Sequence, residues 1–213
     1  MGVRMRSAER REAIVRSASR LFAEKGFRGA TTRELASSLG VTEPVLYQHF
    51  HTKRDLYTAI IEAKAAEGAA HAGTLLELSK GSDDRAFFSA VGELILERYE
   101  HDPEMFRLLF FSCLERHDLA DLFFERLFLV FYKLVSGYIR RRIRAGAFRK
   151  VNADISARGL IGMLSYHGQL GLLFPGRFGK RSRRRVVEEM VAIFLRGIWA
   201  APSPAESGIE PIA

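Results

Sequence analysis

Residues 31–50 read TTRELASSLGVTEPVLYQHF. Thr31 and Glu34 stand at capping-box spacing, which predicts a helix start. Gly40 ends that helix after about two turns. Thr42 is expected to cap a second short helix running to about Phe50. Pro44 falls in its first turn, where a missing N–H costs nothing. Two helices joined by a short Gly-containing turn form a helix-turn-helix, here at about 31–50.

The second helix can be oriented from spacing. Leu46 and Phe50 lie four residues apart and are its large apolar side chains, so they face inward, with Leu35, Leu39 and Val41 as expected neighbours. At about 100° per residue the opposite side carries Pro44, Val45 and Gln48, with Tyr47 and His49 on the flanks. A solvent-facing stripe of small, amide and aromatic groups suits a DNA major groove, and flanking Tyr and His suit phosphates on its walls. Arg33 opposes the dipole at the start of its helix, a mild penalty that contact with a guanine edge would offset. Lys53 opens the next helix, where an ammonium and free backbone N–H groups suit a phosphate.

The rest of the 213-residue chain also reads as helix. Ile14, Ala18, Leu21 and Phe22 form one stripe of a helix over 8–25, with Gly26 as its C-cap. Thr52 and Asp55 make a second capping-box pair, opening a helix to about Leu78. Asp83 starts a helix carrying Phe88, Val91, Ile95 and Tyr99 on one face. Asp102-Pro103 opens an apolar helix to Leu114. Residues 119–145 read as one long helix through Phe123, Leu127, Val130, Leu134 and Tyr138. Helices over 152–174 and 183–199 follow. The expected fold is all-α, with about nine helices.

Charge divides the chain. Residues 1–60 hold 11 Lys and Arg against 6 Asp and Glu, a net +5, whereas residues 61–176 are neutral at 15 against 15. A basic head on a neutral bulk points to a polyanion partner for the head alone. The arginines Arg4, Arg6, Arg10 and Arg11 read as solvated charges, with a phosphate or minor-groove arm as the alternative. Arg140–Arg142 and Lys180–Arg185 read as solvated faces. Residues 159–176 are an 18-residue run without charge, long enough to raise a membrane span. Five glycines and Ser165, Tyr166, His167, Gln169 and Pro175 interrupt it, so a buried bundle helix is expected and no membrane partner.

Other classes find little support. There is no GxGxxG, Walker loop, HExxH or GxSxG, so no catalytic residue is assigned. Six His and one Cys show no ligand spacing, so no metal and no cofactor are expected. The single Cys113 excludes an internal disulfide and fits a reducing, cytoplasmic compartment. It reads as a buried thiol, with a redox switch as the alternative. The opening MGVRMRSAERRE lacks the apolar run of a secretory signal.

Residues 21–56, LFAEKGFRGATTRELASSLGVTEPVLYQHFHTKRDL, resemble the TetR family of bacterial transcriptional regulators. The resemblance rests on Leu21-Phe22 before Glu24-Lys25-Gly26-Phe27, the double Thr, the Gly40-Val41 turn, and Leu46-Tyr47, His49-Phe50 and Lys53. It implies a three-helix DNA-binding domain over 8–68 and a ligand-binding and dimerisation domain over 69–200; the tail over 201–213, rich in Pro and Ser with few charges, reads as disordered.

The implied DNA-binding surface comprises Thr31, Thr32, Arg33, Thr42, Glu43, Pro44, Val45, Tyr47, Gln48, His49 and Lys53. Within it Thr32, Thr42, Tyr47, His49 and Lys53 look like backbone contacts. Arg33, Glu43, Pro44, Val45 and Gln48 sit where family members read bases. For Glu43 two readings stay open: an acceptor for a cytosine amino group, or a favourable charge at a helix start.

The resemblance also implies a cavity for a small hydrophobic or aromatic effector. Phe106, Phe110, Cys113, Phe128, Phe131, Tyr166 and His167 are its expected lining, with Gln169 nearby. The last two helices resemble the family's dimerisation pair. Gly159, Gly162, Gly168 and Gly171 would admit a close helix, and Val187, Val191, Phe194 and Ile198 would supply an apolar face for a second copy. The implied function is a homodimeric, ligand-released repressor on a palindromic operator. The rivals are a helix-turn-helix protein whose bundle binds protein and no effector, and an enzyme with an ancillary DNA-contacting unit.

Overall fold

The computed structural model describes residues 7–115, 119–177 and 181–200, with residues 69–72 by backbone alone. Arg4, Arg6 and Lys180, and the tail expected to be disordered, lie outside the described residues. Ten α-helices are present among the described residues: α1 Ser7–Gly29, α2 Thr32–Ser38, α3 Glu43–His49, α4 Lys53–Lys80, α5 Asp84–His101, α6 Pro103–Leu114, α7 Leu119–Phe123, α8 Leu129–Arg144, α9 Ala153–Leu173 and α10 Arg183–Ile198. The all-α expectation holds. The tenth helix arises because 119–145 is not one regular helix: a π-helical turn, Phe124–Phe128, separates α7 from α8.

Local chemistry explains most boundaries. Thr31 Oγ1 accepts from the Glu34 N–H while Glu34 Oε2 accepts from the Thr31 N–H, completing the capping box. Thr52 and Asp55 repeat the arrangement at the start of α4. The Asp102 carboxylate caps α6 through the Met105 N–H, and Asn152 caps α9 through the N–H groups of Asp154 and Ile155. Thr42 occupies the N-cap position of α3 with extended backbone, but its side chain makes no capping bond.

Two compact units result. The first comprises the chain up to Gly73 together with Arg98–Val130. Its core buries Ile14, Ala18, Phe22, Leu35, Leu46, Phe50, Ile60 and Leu108 around a fully buried Tyr57. Phe22 meets the Tyr57 ring edge-on at 4.9 Å. The Tyr57 hydroxyl donates to Leu108 O at 3.1 Å and lies 2.9 Å from Ser112 Oγ. Burial pushes this phenol up to about 12.

The second unit comprises Thr74–Glu97 and the chain from Phe131. Phe87, Phe88, Val91, Val135, Tyr138, Leu160, Leu164, Val187, Val191 and Leu195 form its core. Phe87 stacks on Tyr138 at 3.9 Å. Tyr138 donates to Asp84 Oδ1 at 2.7 Å, and Arg142 clamps the same carboxylate at 2.6 and 2.9 Å. A bare Cα at Gly92 lets α5 approach closely, because a Cβ there would sit 2.8 Å from Val187 Cγ1.

Candidate nucleic-acid interface

Helix α3 turns one side to the core and the other to solvent. Leu46 and Phe50 are 3% and 4% exposed, as their spacing requires. Leu35 is fully buried beneath them, and Leu39 and Val41 are half-buried. Tyr47 is 41% exposed. Pro44 and Gln48 are exposed, while Val45 and His49 are half-buried. Gly40, at φ +63°, makes the turn between α2 and α3, a conformation other residues rarely adopt.

The flanking residues are more engaged than their spacing suggests. Glu43 lies between two neighbours: Thr32 Oγ1 donates to Oε2 at 3.1 Å, and Arg33 Nε lies 3.7 Å from Oε1. Thr31 is committed to its capping box, in which its hydroxyl also donates to Glu34 at 2.9 Å. Lys25 adds a 2.6 Å bond to Glu34 and, with the Thr31 bonds, holds that carboxyl down to about 2.

Lys53 Nζ donates to Ala30 O at 2.7 Å and lies 4.5 Å from the Phe27 ring centroid. Burial lowers its affinity for a proton, against the opposing effect of Glu115. It is therefore a strut between α4 and the end of α1, with two N–H groups left for another acceptor.

Two contributors lie beyond the reach of the motif. Arg11, read as a solvated charge, places its guanidinium 4.7 Å from the Phe50 ring centroid, which fixes a cation beside the C-terminal end of α3. Glu115, just past α6, accepts from the Arg28 N–H. No local spacing announces either contact.

The expected effector residues fall in both units. Phe106, Phe110, Cys113 and Phe128 belong to the first unit, and Phe131, Tyr166 and His167 to the second. Phe106 is buried and stacked on Tyr99 at 3.5 Å. Phe110, Phe128, Phe131 and His167 are half-buried. Tyr166 points outward at 62% exposure. Cys113 is exposed, which corrects the expectation of a buried thiol: it sits on the outer side of α6, next to a 79% exposed Leu114. A cavity of about 260 Å³ opens between α1, α4 and α6, with Arg16, Ser19, Arg20, Lys64, Glu67 and Glu104 in its wall. None of the seven expected residues lines it.

The dimerisation stripe needs a second correction. Val187, Val191, Phe194 and Ile198 are at most 8% exposed within their own subunit, so their apolar face is already covered. The open face lies on α9. Beyond the helix's own backbone, nothing comes within 4 Å of a Cβ placed at Gly159 or Gly162. Ile155, Tyr166 and Leu173, on the same side by helical spacing, are 60%, 62% and 56% exposed.

A helix-turn-helix whose second helix is exposed on one side, within a head of net charge +5, marks a DNA-binding regulator by class. Residues 14–60 match the bacterial regulatory proteins of the tetR family, and residues 91–197 match the C-terminal domain of AefR-like transcriptional repressors. The chain belongs to the TetR family, whose members are transcriptional regulators rather than enzymes.

It is 34% identical over 109 residues to the HTH-type transcriptional activator FasR of Mycolicibacterium smegmatis, a stretch covering 51% of this chain and 49% of that relative. The match thus spans about half of the relative's length. A TetR-family regulator of Mesorhizobium loti superposes with a TM-score of 0.71 at 20% identity, covering 92% of this chain and all of that one. AibR, solved with isovaleryl coenzyme A and operator DNA, superposes at 0.66 with 18% identity, covering 87% and 97%. At these identities the two structures establish the shared fold. Among the described residues no helix is long and apolar enough to cross a membrane, and no three metal-ligating side chains cluster.

Proposed function

We propose that this chain is a homodimeric, cytoplasmic repressor that reads a palindromic operator with α3 and is released by a small hydrophobic effector. The observation that carries the DNA-binding part is the outward side of α3, where Pro44, Tyr47 and Gln48 stand free opposite the buried Leu46 and Phe50. One such module buries only about 600–1,000 Å² on DNA, so useful affinity calls for two. The uncovered Gly159–Gly162 face of α9, rimmed by Ile155, Tyr166 and Leu173, supports pairing through a twofold axis.

Thr42, Tyr47, His49 and Lys53 would hold phosphates, with Arg11 added to them; the Thr32 hydroxyl is engaged by Glu43 instead. Arg33, Glu43, Pro44, Val45 and Gln48 would face bases. An effector acting through α4, continuous from Lys53 to Lys80, would change the separation of two reading helices. It must favour one separation by about 1–3 kcal/mol to regulate. AibR, a chain of the same fold solved with isovaleryl coenzyme A and operator DNA, supports the reading that one such chain can carry both kinds of site.

The test uses full-length protein and the duplex it selects from random DNA. Tyr47→Ala and Gln48→Ala, both at exposed positions, are expected to weaken binding about tenfold or more with the melting temperature unchanged. Undiminished binding by the folded variants would contradict the reading. The rival reading is a bundle that binds protein and no effector. Native mass spectrometry after incubation with a mixed small-molecule library separates the two, because the rival retains nothing.

A further inference from the structure

We infer that Arg33 and Glu43 form a donor–acceptor fork that reads one G·C base pair in each half-site, Arg33 on the guanine and Glu43 on the cytosine. The inference rests on the DNA-binding reading above. Arg33 Nε and Glu43 Oε1 are 3.7 Å apart, on different helices, and Arg33 is 90% exposed. In the major groove a G·C pair presents the acceptors N7 and O6 of guanine, then the N4–H donor of cytosine. O6 and N4 are hydrogen-bonded to each other, so they lie about 2.9 Å apart. A guanidinium beside a carboxylate, donors beside an acceptor, matches that order and that spacing.

An A·T pair defeats the fork. Its middle group is the adenine N6–H donor and its outer group the thymine O4 acceptor. A guanidinium set on the purine would then meet a donor, and the carboxylate would meet an acceptor. Each mismatch strands a polar group at the moment it is desolvated.

The neighbouring contacts favour this use of Glu43. Thr32 Oγ1 occupies Oε2 at 3.1 Å, which anchors the carboxylate and leaves Oε1 facing Arg33. The guanidinium also offsets the negative charge that would otherwise be repelled by DNA. A salt bridge between such exposed groups contributes little to stability, so the pair is free to exchange partners when a base edge arrives.

The experiment uses full-length protein and the duplex recovered by selection from random DNA. Each G·C pair is replaced in turn by one carrying 7-deazaguanine, which removes the N7 acceptor, or N4-methylcytosine, which blocks the groove-facing N4–H. One pair per half-site is expected to respond to both modifications, each weakening binding about tenfold. Glu43→Ala should lose the response to N4-methylcytosine and keep that to 7-deazaguanine. Arg33→Ala should do the converse. Glu43→Gln, whose amide oxygen still accepts, should retain part of the cytosine response. If the two modifications act at different pairs, or Glu43→Ala leaves the cytosine response intact in a folded protein, the inference is overturned and DNA binding stands. If no duplex is enriched, the DNA-binding reading fails and the inference falls with it.

Discussion

Both carboxylate oxygens of Glu115 accept the backbone N–H of Arg28, each at 3.2 Å. A residue just past α6 thereby fastens the turn that leads from α1 into α2. Gly26 makes the close approach possible. Its φ is +74°, and a Cβ there would collide with Glu115 Oε1 and sit 2.8 Å from Phe111 Cδ1. Glu115→Ala is expected to cost about 1 kcal/mol, the net value of one such bond in an exposed setting. Gly26→Ala should cost more, because it adds about 1–2 kcal/mol of left-handed strain to a steric clash. Urea midpoints for the two variants check this order; a harmless Gly26→Ala would contradict it.

The capping box makes stability depend on acid. The Glu34 carboxyl titrates at about 2 in the folded chain against its usual 4.5, chiefly because Lys25 and Thr31 bond its charged form. A lowered folded value means the unfolded chain takes up the proton first as pH falls. The stabilising contribution is therefore complete above pH 4.5 and is lost as the pH falls toward 2. Denaturation midpoints recorded across this window are expected to converge for the wild type and Glu34→Gln at the acid end. A constant gap down to pH 2 would show that Glu34 is not the group responsible.

Tyr57→Phe tests the polar contact in the first core. The hydroxyl shares Leu108 O with Ser112 Oγ, which donates to the same carbonyl at 2.8 Å. Its removal leaves that carbonyl satisfied, so the expected loss is about 1 kcal/mol rather than the larger penalty of a stranded group. A loss of several kcal/mol would mean that Tyr57 holds the core in a way the hydrogen bonds do not explain.

Local chemistry was legible in the chain, and distant chemistry was not. The Thr31–Glu34 and Thr52–Asp55 boxes, the positive φ at Gly26 and Gly40, and the burial of Leu46 and Phe50 all follow from spacings of three or four residues. Thr42 shows the limit even there, since an N-cap residue can sit in place without bonding. Lys53 to Ala30, Glu115 to Arg28 and Arg11 over Phe50 join residues 23 to 87 positions apart, and no pattern along the chain encodes them. The dimer stripe failed for a different reason. An amphipathic helix announces one apolar face but not which neighbour covers it, and α10 spends that face on its own subunit. The glycines Gly159 and Gly162 of α9 lie on a face that its own subunit leaves open, and a small residue weakens a helix unless something else uses the space.

That open face gives a direct test of assembly. Gly162→Glu adds a carboxylate at a position where a Cβ meets nothing beyond its own helix backbone. The subunit should keep its helical circular dichroism, while sedimentation should shift from dimer to monomer. Wild-type protein that sediments as a monomer at micromolar concentration would remove this face from the account.

Salt dependence probes the backbone contacts separately. About four phosphate contacts per subunit imply a slope of log K against log salt near −7 for the dimer. Arg11→Ala should make the slope shallower by about one per subunit if its stacked guanidinium meets a phosphate, and an unchanged slope would return it to solvent.

Selection of bound duplexes from random DNA tests the central claim most directly. Two inverted half-sites are expected, their centres about 34–36 Å apart on one face of the helix. A pool with no enriched sequence, or with a lone half-site and no inverted partner, would contradict the proposal that α3 reads DNA in two symmetric copies.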